Sequence, residues 1–216
     1  MADSIRHSLT QLLTRPHHFL AARPFRLIFA LYTGTYLTAN TLDTTKATLS
    51  NRPASSTTSG TEKFVATSAA NLSLCLYKDS QFTKMFGTVS ARPVPGVSYA
   101  LFAARDCLTI FASFNVPPLL APALPLSSKA EEYVSRASTA QFLAPAAFQL
   151  VSTPLHLLGL DFYNRNGGTT MGERLGKVRV DYVKSSLARM CRIVPAFGLG
   201  GVVNNGMRKE LQGTLE

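Results

Sequence analysis

Charge is what this sequence has least of. Asp, Glu, Lys and Arg make up 16% of its 216 residues, against roughly 25% in a soluble domain. Acid is scarcer than base: 12 Asp and Glu face 22 Lys and Arg, a formal net charge of +10. Tryptophan is absent, and the basic residues are dispersed rather than gathered among aromatics, so a nucleic-acid partner is not expected. Cysteine is limited to Cys75, Cys107 and Cys191, far apart in apolar segments. They make neither a zinc pattern nor a redox pair and read as small apolar filler. A secretory leader is not expected, because the first apolar run lacks both the short basic tip and a small-residue cleavage site. No segment alternates with period two over a useful length, which argues against a β architecture. A P-loop, a Ser-His-Asp set and a metal-ligand cluster are all missing, so neither an enzyme nor a cofactor is expected.

Long uncharged runs are what remain. Ala137 to Leu160 contains no Asp, Glu, Lys or Arg, and its one titratable side chain is His156. About 20 apolar helical residues cross a bilayer core, so this run is long enough. It carries Pro145 and Pro154, which membrane helices accept because neighbours re-satisfy the freed carbonyls. Further apolar spans run from Phe25 to Leu42, from Phe64 to Tyr77 and from Val97 to Leu120, and a last long helix from Val178 to Leu211 carries Arg179, Lys184, Arg189 and Arg192 in its first half and no charge from Ile193 to Met207. The expected fold class is therefore all-α: a multi-span transmembrane bundle of about five membrane helices. A helical membrane domain would occupy residues 23–216.

Residues 1–22 precede it as a basic segment, too short and too charged to span. Ile5, Leu9, Leu12 and Leu13 suit one face of a short helix ending at Pro16. Arg6 and Arg15, with Arg23 and Arg26 beyond, stand against Asp3 alone, which fits a mitochondrial targeting segment or a helix lying on a membrane surface. Between the first two runs, Lys46 to Lys63 is rich in Ser, Thr and Pro and reads as a flexible loop. Small residues Ala66, Ala70 and Ser73, and later Gly198, Gly200 and Gly201, suit close helix contact.

Arg105 and Asp106 stand in the middle of the third run. Ionised groups inside an apolar span face a bundle interior or an aqueous cavity, not lipid. Similar polar layouts recur: Arg192 is followed three residues on by Pro195, then by Asn204-Asn205 and Arg208, while Asp43 and Lys46 close the first run. This layout resembles the mitochondrial carrier family, of which the chain would be a divergent, degenerate member with its first helix missing. In that family even-numbered helices read R-x-x-P toward the middle and [Y/F]-[D/E]-x-x-[K/R] at the end. The resemblance implies a midplane substrate site at Arg105, Asp106 and Arg192. It also implies polar gate residues at the bundle end, namely Asp43, Lys46, Asn205 and Arg208. Pro154 departs from the odd-helix motif, since Leu155-His156 and Gly159 replace its acid and base.

Two functions stay open on these residues. One is a mitochondrial solute carrier, inner rather than outer membrane, moving a small anionic or zwitterionic metabolite. The other is a non-transporting membrane adaptor or assembly factor on the same scaffold. The first expects Arg105, Asp106 and Arg192 around one cavity; the second expects a tight interior with Arg105 and Asp106 paired. The partners expected are the lipid bilayer and a small molecule.

Overall fold

The computed structural model describes residues 6, 10–86, 94–127, 131, 133–165 and 168–214. Those residues are overwhelmingly helical, with no strand among them. Residues 10–14 are helical up to Arg15, and Pro16 then opens α1 (Pro16–Ala21) instead of only ending its predecessor. Positions Ile5 and Leu9 of the expected helix lie outside the described residues. Five long helices follow. They are α2 (Arg23–Leu49), α3 (Thr61–Phe86), α4 (Gly96–Phe114), α6 (Arg136–Asn164) and α7 (Met171–Ile193). Short α5 (Val116–Leu120) follows α4, and α8 (Gly200–Gly213) continues α7 through a π-helical turn at Val194–Leu199.

Local chemistry sets these limits. Proline sits in the first turn of α2, where its missing N–H costs no bond. Asn51, at φ 51°, ends that helix in the left-handed conformation, and the Arg52 amide returns to the Ala47 carbonyl at 2.9 Å. Ser135 caps α6 by accepting from the Ser138 amide at 3.1 Å. Thr170 and Glu173 form a reciprocal capping box on α7. Both α6 prolines lie inside an unbroken helix. Pro154 leaves the Leu150 carbonyl without its helical donor, and the Tyr182 hydroxyl of α7 donates to it at 3.0 Å. Pro117 likewise frees the Ser113 carbonyl, and Gln141 Nε2 donates to it at 3.0 Å.

Helices adjacent in sequence pack together: α2 on α3, α3 on α4, α4 on α6, and α6 on α7 and the π-turn. Side-chain hydrogen bonds join α8 back to α2, which closes the ring. Burial is inverted relative to a globule in water. Buried side chains include Thr35, Asn71, Gln149, Thr153, Arg174 and Arg189, whereas Val180, Val183, Leu187, Leu199, Val203 and Met207 are exposed along the last helix. An apolar exterior this extensive needs a lipid neighbour.

By length and composition, three helices are able to cross a membrane: α4, α6 and the continuous 43-residue helix Met171–Gly213. The five expected spans match five long helices, but α2 and α3 do not meet that test. Uncharged polar residues lower the hydropathy of α2, namely Thr33, Thr35, Thr38 and Asn40, and in α3 Thr67, Ser68 and Asn71 act together with Glu62, Lys63, Lys78 and Asp79. The expected flexible loop is also corrected. Its first residues belong to α2, its last to α3, and its middle is hydrogen-bonded into the end of the bundle through Ala54 and Thr58. The small-residue face expected on α3 is displaced as well, since Ser73 is exposed while Lys63, Thr67 and Asn71 point inward.

Candidate functional site

All five long helices and the π-turn contribute to a cavity of about 460 Å³. Arg105 and Asp106 from α4 and Arg192 from α7 line it together. So do Lys78 and Asp79 of α3 and His156 of α6. The polar side chains arrive there through helical periodicity. Asn71, Cys75 and Lys78 are spaced four and three residues apart on α3, and Arg189 and Arg192 lie three apart on α7, which puts each set on one face.

Most of these charges are already engaged. Arg105 Nη2 and Nε lie 2.6 and 2.8 Å from Asp106 Oδ1. Its Nη1 donates to His156 Nδ1 at 2.9 Å, and its guanidinium stands 5.3 Å from the Phe102 ring centroid. A guanidinium only donates, so His156 is the neutral imidazole with its proton on Nε2. Lys78 pairs with Asp79 at 3.0 Å; the Asp79 side chain is 66% exposed. Arg189 is 8% exposed and gives Nη2 to Gln149 Oε1 at 2.8 Å and to Ser152 Oγ at 3.2 Å. Its Nε and Nη1 have no hydrogen-bond partner among the described residues. Arg192 is exposed and has no hydrogen-bond or ion-pair partner among the described residues.

An aromatic layer forms the floor. Tyr32 meets Phe197 at 5.5 Å, Tyr36 meets Phe114 at 5.2 Å, and Phe114 meets Phe197 at 5.7 Å, edge to face. Ile110 and Ile193 complete this cluster. Below it Asn40 and Asn204 exchange two amide hydrogen bonds of 2.7 and 3.0 Å. One turn further, Asp43 Oδ2 accepts from Lys63 Nζ at 2.9 Å and from Arg208 Nη1 at 3.2 Å. Its Oδ1 accepts from the Thr58 amide at 2.9 Å and hydroxyl at 2.6 Å. Arg208 Nη2 also donates to the Ala54 carbonyl at 2.9 Å. On the bundle axis the space here shrinks to about 20 Å³, with about 220 Å³ lying to the side between residues 59–61, Phe111 and Leu119. The bundle is thus hollow on one side of the aromatic layer and plugged on the other.

The expected end-of-bundle residues divide. Asp43 and Arg208 meet in the plug, and Asn205 lines the small space beside it. Lys46 does not join them; it pairs with the exposed Glu62 at 2.7 Å. Lys63, absent from the expected set, takes the central place. It had been assigned to a loop edge, although Lys63, Thr67 and Asn71 repeat every four residues and mark one polar face of a helix. Arg189, also absent from the expected set, is with Arg174 one of the two buried arginines of α7, while Arg179 and Lys184 are exposed. His156 holds Arg105. Among the described residues no group of His, Cys, Asp or Glu is placed to hold a metal.

A hollow, polar-lined ring of helices under an apolar coat defines a membrane protein with a solute-sized interior. Its lineage is explicit: the family model described as "Probable citrulline exporter" matches residues 1–212, and the chain belongs to that family. The family is one of transporters, not of enzymes. No curated protein and no solved structure matches the chain. The mitochondrial carrier resemblance is thereby overturned. The polar layout that suggested it has other causes. Pro195, three residues after Arg192, opens a π-turn, and Asp43 pairs with Lys63 and Arg208, not with Lys46.

Proposed function

We propose that this chain exports a small zwitterionic amino acid of the citrulline kind through the cavity bearing Arg105, Asp106 and Arg192. The observation that carries this reading is a single 460 Å³ cavity lined by both carboxylates and guanidinium groups. A zwitterion carries the complementary pair: its carboxylate suits the unpartnered Arg192, and its ammonium suits Asp106. The ureido group of citrulline offers both donors and acceptors to Asn71, Thr109 and the His156 Nε2 proton. Release to the far side requires the aromatic layer to part and the Asp43 plug to open. Asp43, Lys63, Asn205 and Arg208 are then the gate, with Lys46 and Glu62 at its rim.

Helices α2 and α3 complete the crossing as fourth and fifth spans. At 1.5 Å per residue their 27 and 26 residues reach about 40 Å, with Lys78 and Asp79 at the cavity and Asp43 and Lys63 in the plug. The basic N-terminal segment fits a mitochondrial membrane. Carbonate extraction of fractionated mitochondria tests that placement: release of the protein into the soluble fraction, or its absence from mitochondria, refutes it.

Purified protein in proteoliposomes should move labelled citrulline. Arg192→Gln and Asp106→Asn should each lower the flux about tenfold, the worth of one charge-assisted hydrogen bond. One observation favours a non-transporting adaptor, namely that Arg105 and Asp106 spend their charges on each other. Empty proteoliposomes and protein-loaded ones leaking citrulline equally would decide for that reading.

A further inference from the structure

The cavity is not electrically balanced. Among the described residues, Lys78, Arg105, Arg189 and Arg192 face Asp79 and Asp106 alone. Lys78 lies against Asp79 and Arg105 against Asp106, and His156 is neutral toward Arg105. Two positive charges are left, both on one wall, at Arg189 and Arg192. They are one helical turn apart, with Cβ atoms roughly 5–6 Å from each other. Arg189 is 8% exposed and still has two nitrogens, Nε and Nη1, without an acceptor. A guanidinium withdrawn from water with open donors costs several kcal/mol unless an anion meets it. A zwitterion brings no net charge, so it cannot balance this wall.

We infer that the Arg189–Arg192 wall is a binding site for a small dianion, a dicarboxylate or hydrogen phosphate, occupied alongside the zwitterion. The chemistry is that of forked guanidinium hydrogen bonds to paired oxygens. Gln149 and Ser152 hold Arg189 by one nitrogen, while its Nε and Nη1 are sealed from solvent, so the guanidinium turns toward Arg192 to meet the anion. Arg192 has donors on more than one edge, so it serves the dianion beside Arg189 and the zwitterion's carboxylate on the side of Asp106. The inference shares the cavity with the proposed function but does not depend on citrulline being the solute.

The test is thermal unfolding of the detergent-purified full chain at matched ionic strength and pH 7.5. Succinate, inorganic phosphate, acetate and chloride are titrated in parallel. Succinate or phosphate should give a saturable rise in melting temperature that acetate and chloride do not, and whichever acts identifies the source. Arg192→Gln, whose side chain has no partner to lose, should weaken the apparent affinity about tenfold. Lys177→Gln removes an equal charge from the exposed Lys177–Asp181 pair and should leave the affinity unchanged. Equal shifts from all four salts, or a dianion shift undiminished in Arg192→Gln, overturn the inference. Citrulline flux is read separately in proteoliposomes with and without the active dianion. Flux without any dianion shift removes this site and spares the exporter reading. A dianion shift without flux does the reverse.

Discussion

Asp43 shows how one buried ion can be made tolerable. Its carboxylate accepts four hydrogen bonds, from Lys63, Arg208 and both donors of Thr58, so little of its acceptor capacity is left unmet. Removing one charged partner leaves the rest uncompensated in a dry place. Lys63→Met should therefore destabilise by about 3 kcal/mol, read as a lower melting temperature with a thiol-reactive dye. Adding Asp43→Asn to that variant should recover part of the loss; additive losses would show that the two side chains do not interact. Tyr182 plays a smaller role of the same kind. Tyr182→Phe should cost about 1 kcal/mol by orphaning the Leu150 carbonyl. In a Pro154→Ala background the cost should vanish, because residue 154 then supplies its own amide donor.

At the level of elements, the prolines explain the joints. Pro117 and Pro195 each withdraw a backbone donor, one at the α4–α5 junction and one at the π-turn. Gln141 of α6 spans both places, donating to the Ser113 carbonyl and to the Phe197 carbonyl at 2.9 Å. Gly201 is what lets it reach: a Cβ there would collide with the Gln141 side chain. Gly198 similarly leaves room for Phe142, whose ring a Cβ would meet at 2.7 Å. Gly201→Val should expel Gln141, strand the Ser113 carbonyl and lower stability by about 2 kcal/mol. Gly206→Ala, at an open position on the same helix, should change stability little or raise it. Equal melting temperatures for the two variants would refute the role given to Gly201.

Under the proposed export, the hollow half and the plugged half of the molecule are one end state of a device with two. Cys75 is its natural reporter, since it lines the cavity and is a free thiol. A charged, membrane-impermeant thiosulfonate should modify Cys75 in a Cys107→Ser, Cys191→Ser background, and saturating citrulline should slow the reaction several-fold. Modification unaffected by citrulline would mean that the solute does not enter the cavity beside Cys75.

How much of this was legible beforehand follows from where each signal lives. The uncharged run at 137–160 and the glycines near residue 200 are local patterns, and they foretold a helix under lipid and a close helix contact. Arg105 and Asp106 stood out because two ions in an apolar run are costly wherever that run goes. Composition and period thus determined the helical class and the lipid surroundings, since both depend on the chain's own neighbours in sequence. Partnership did not follow from them. Asp43 finds Lys63 and Arg208 from two other helices, His156 finds Arg105 across 51 positions, and Arg189 is left open only because nothing else reaches it. Such pairings depend on which helix lies beside which and at what rotation. The closure of the ring decided them, as it decided that five polar stripes would face one shared hollow.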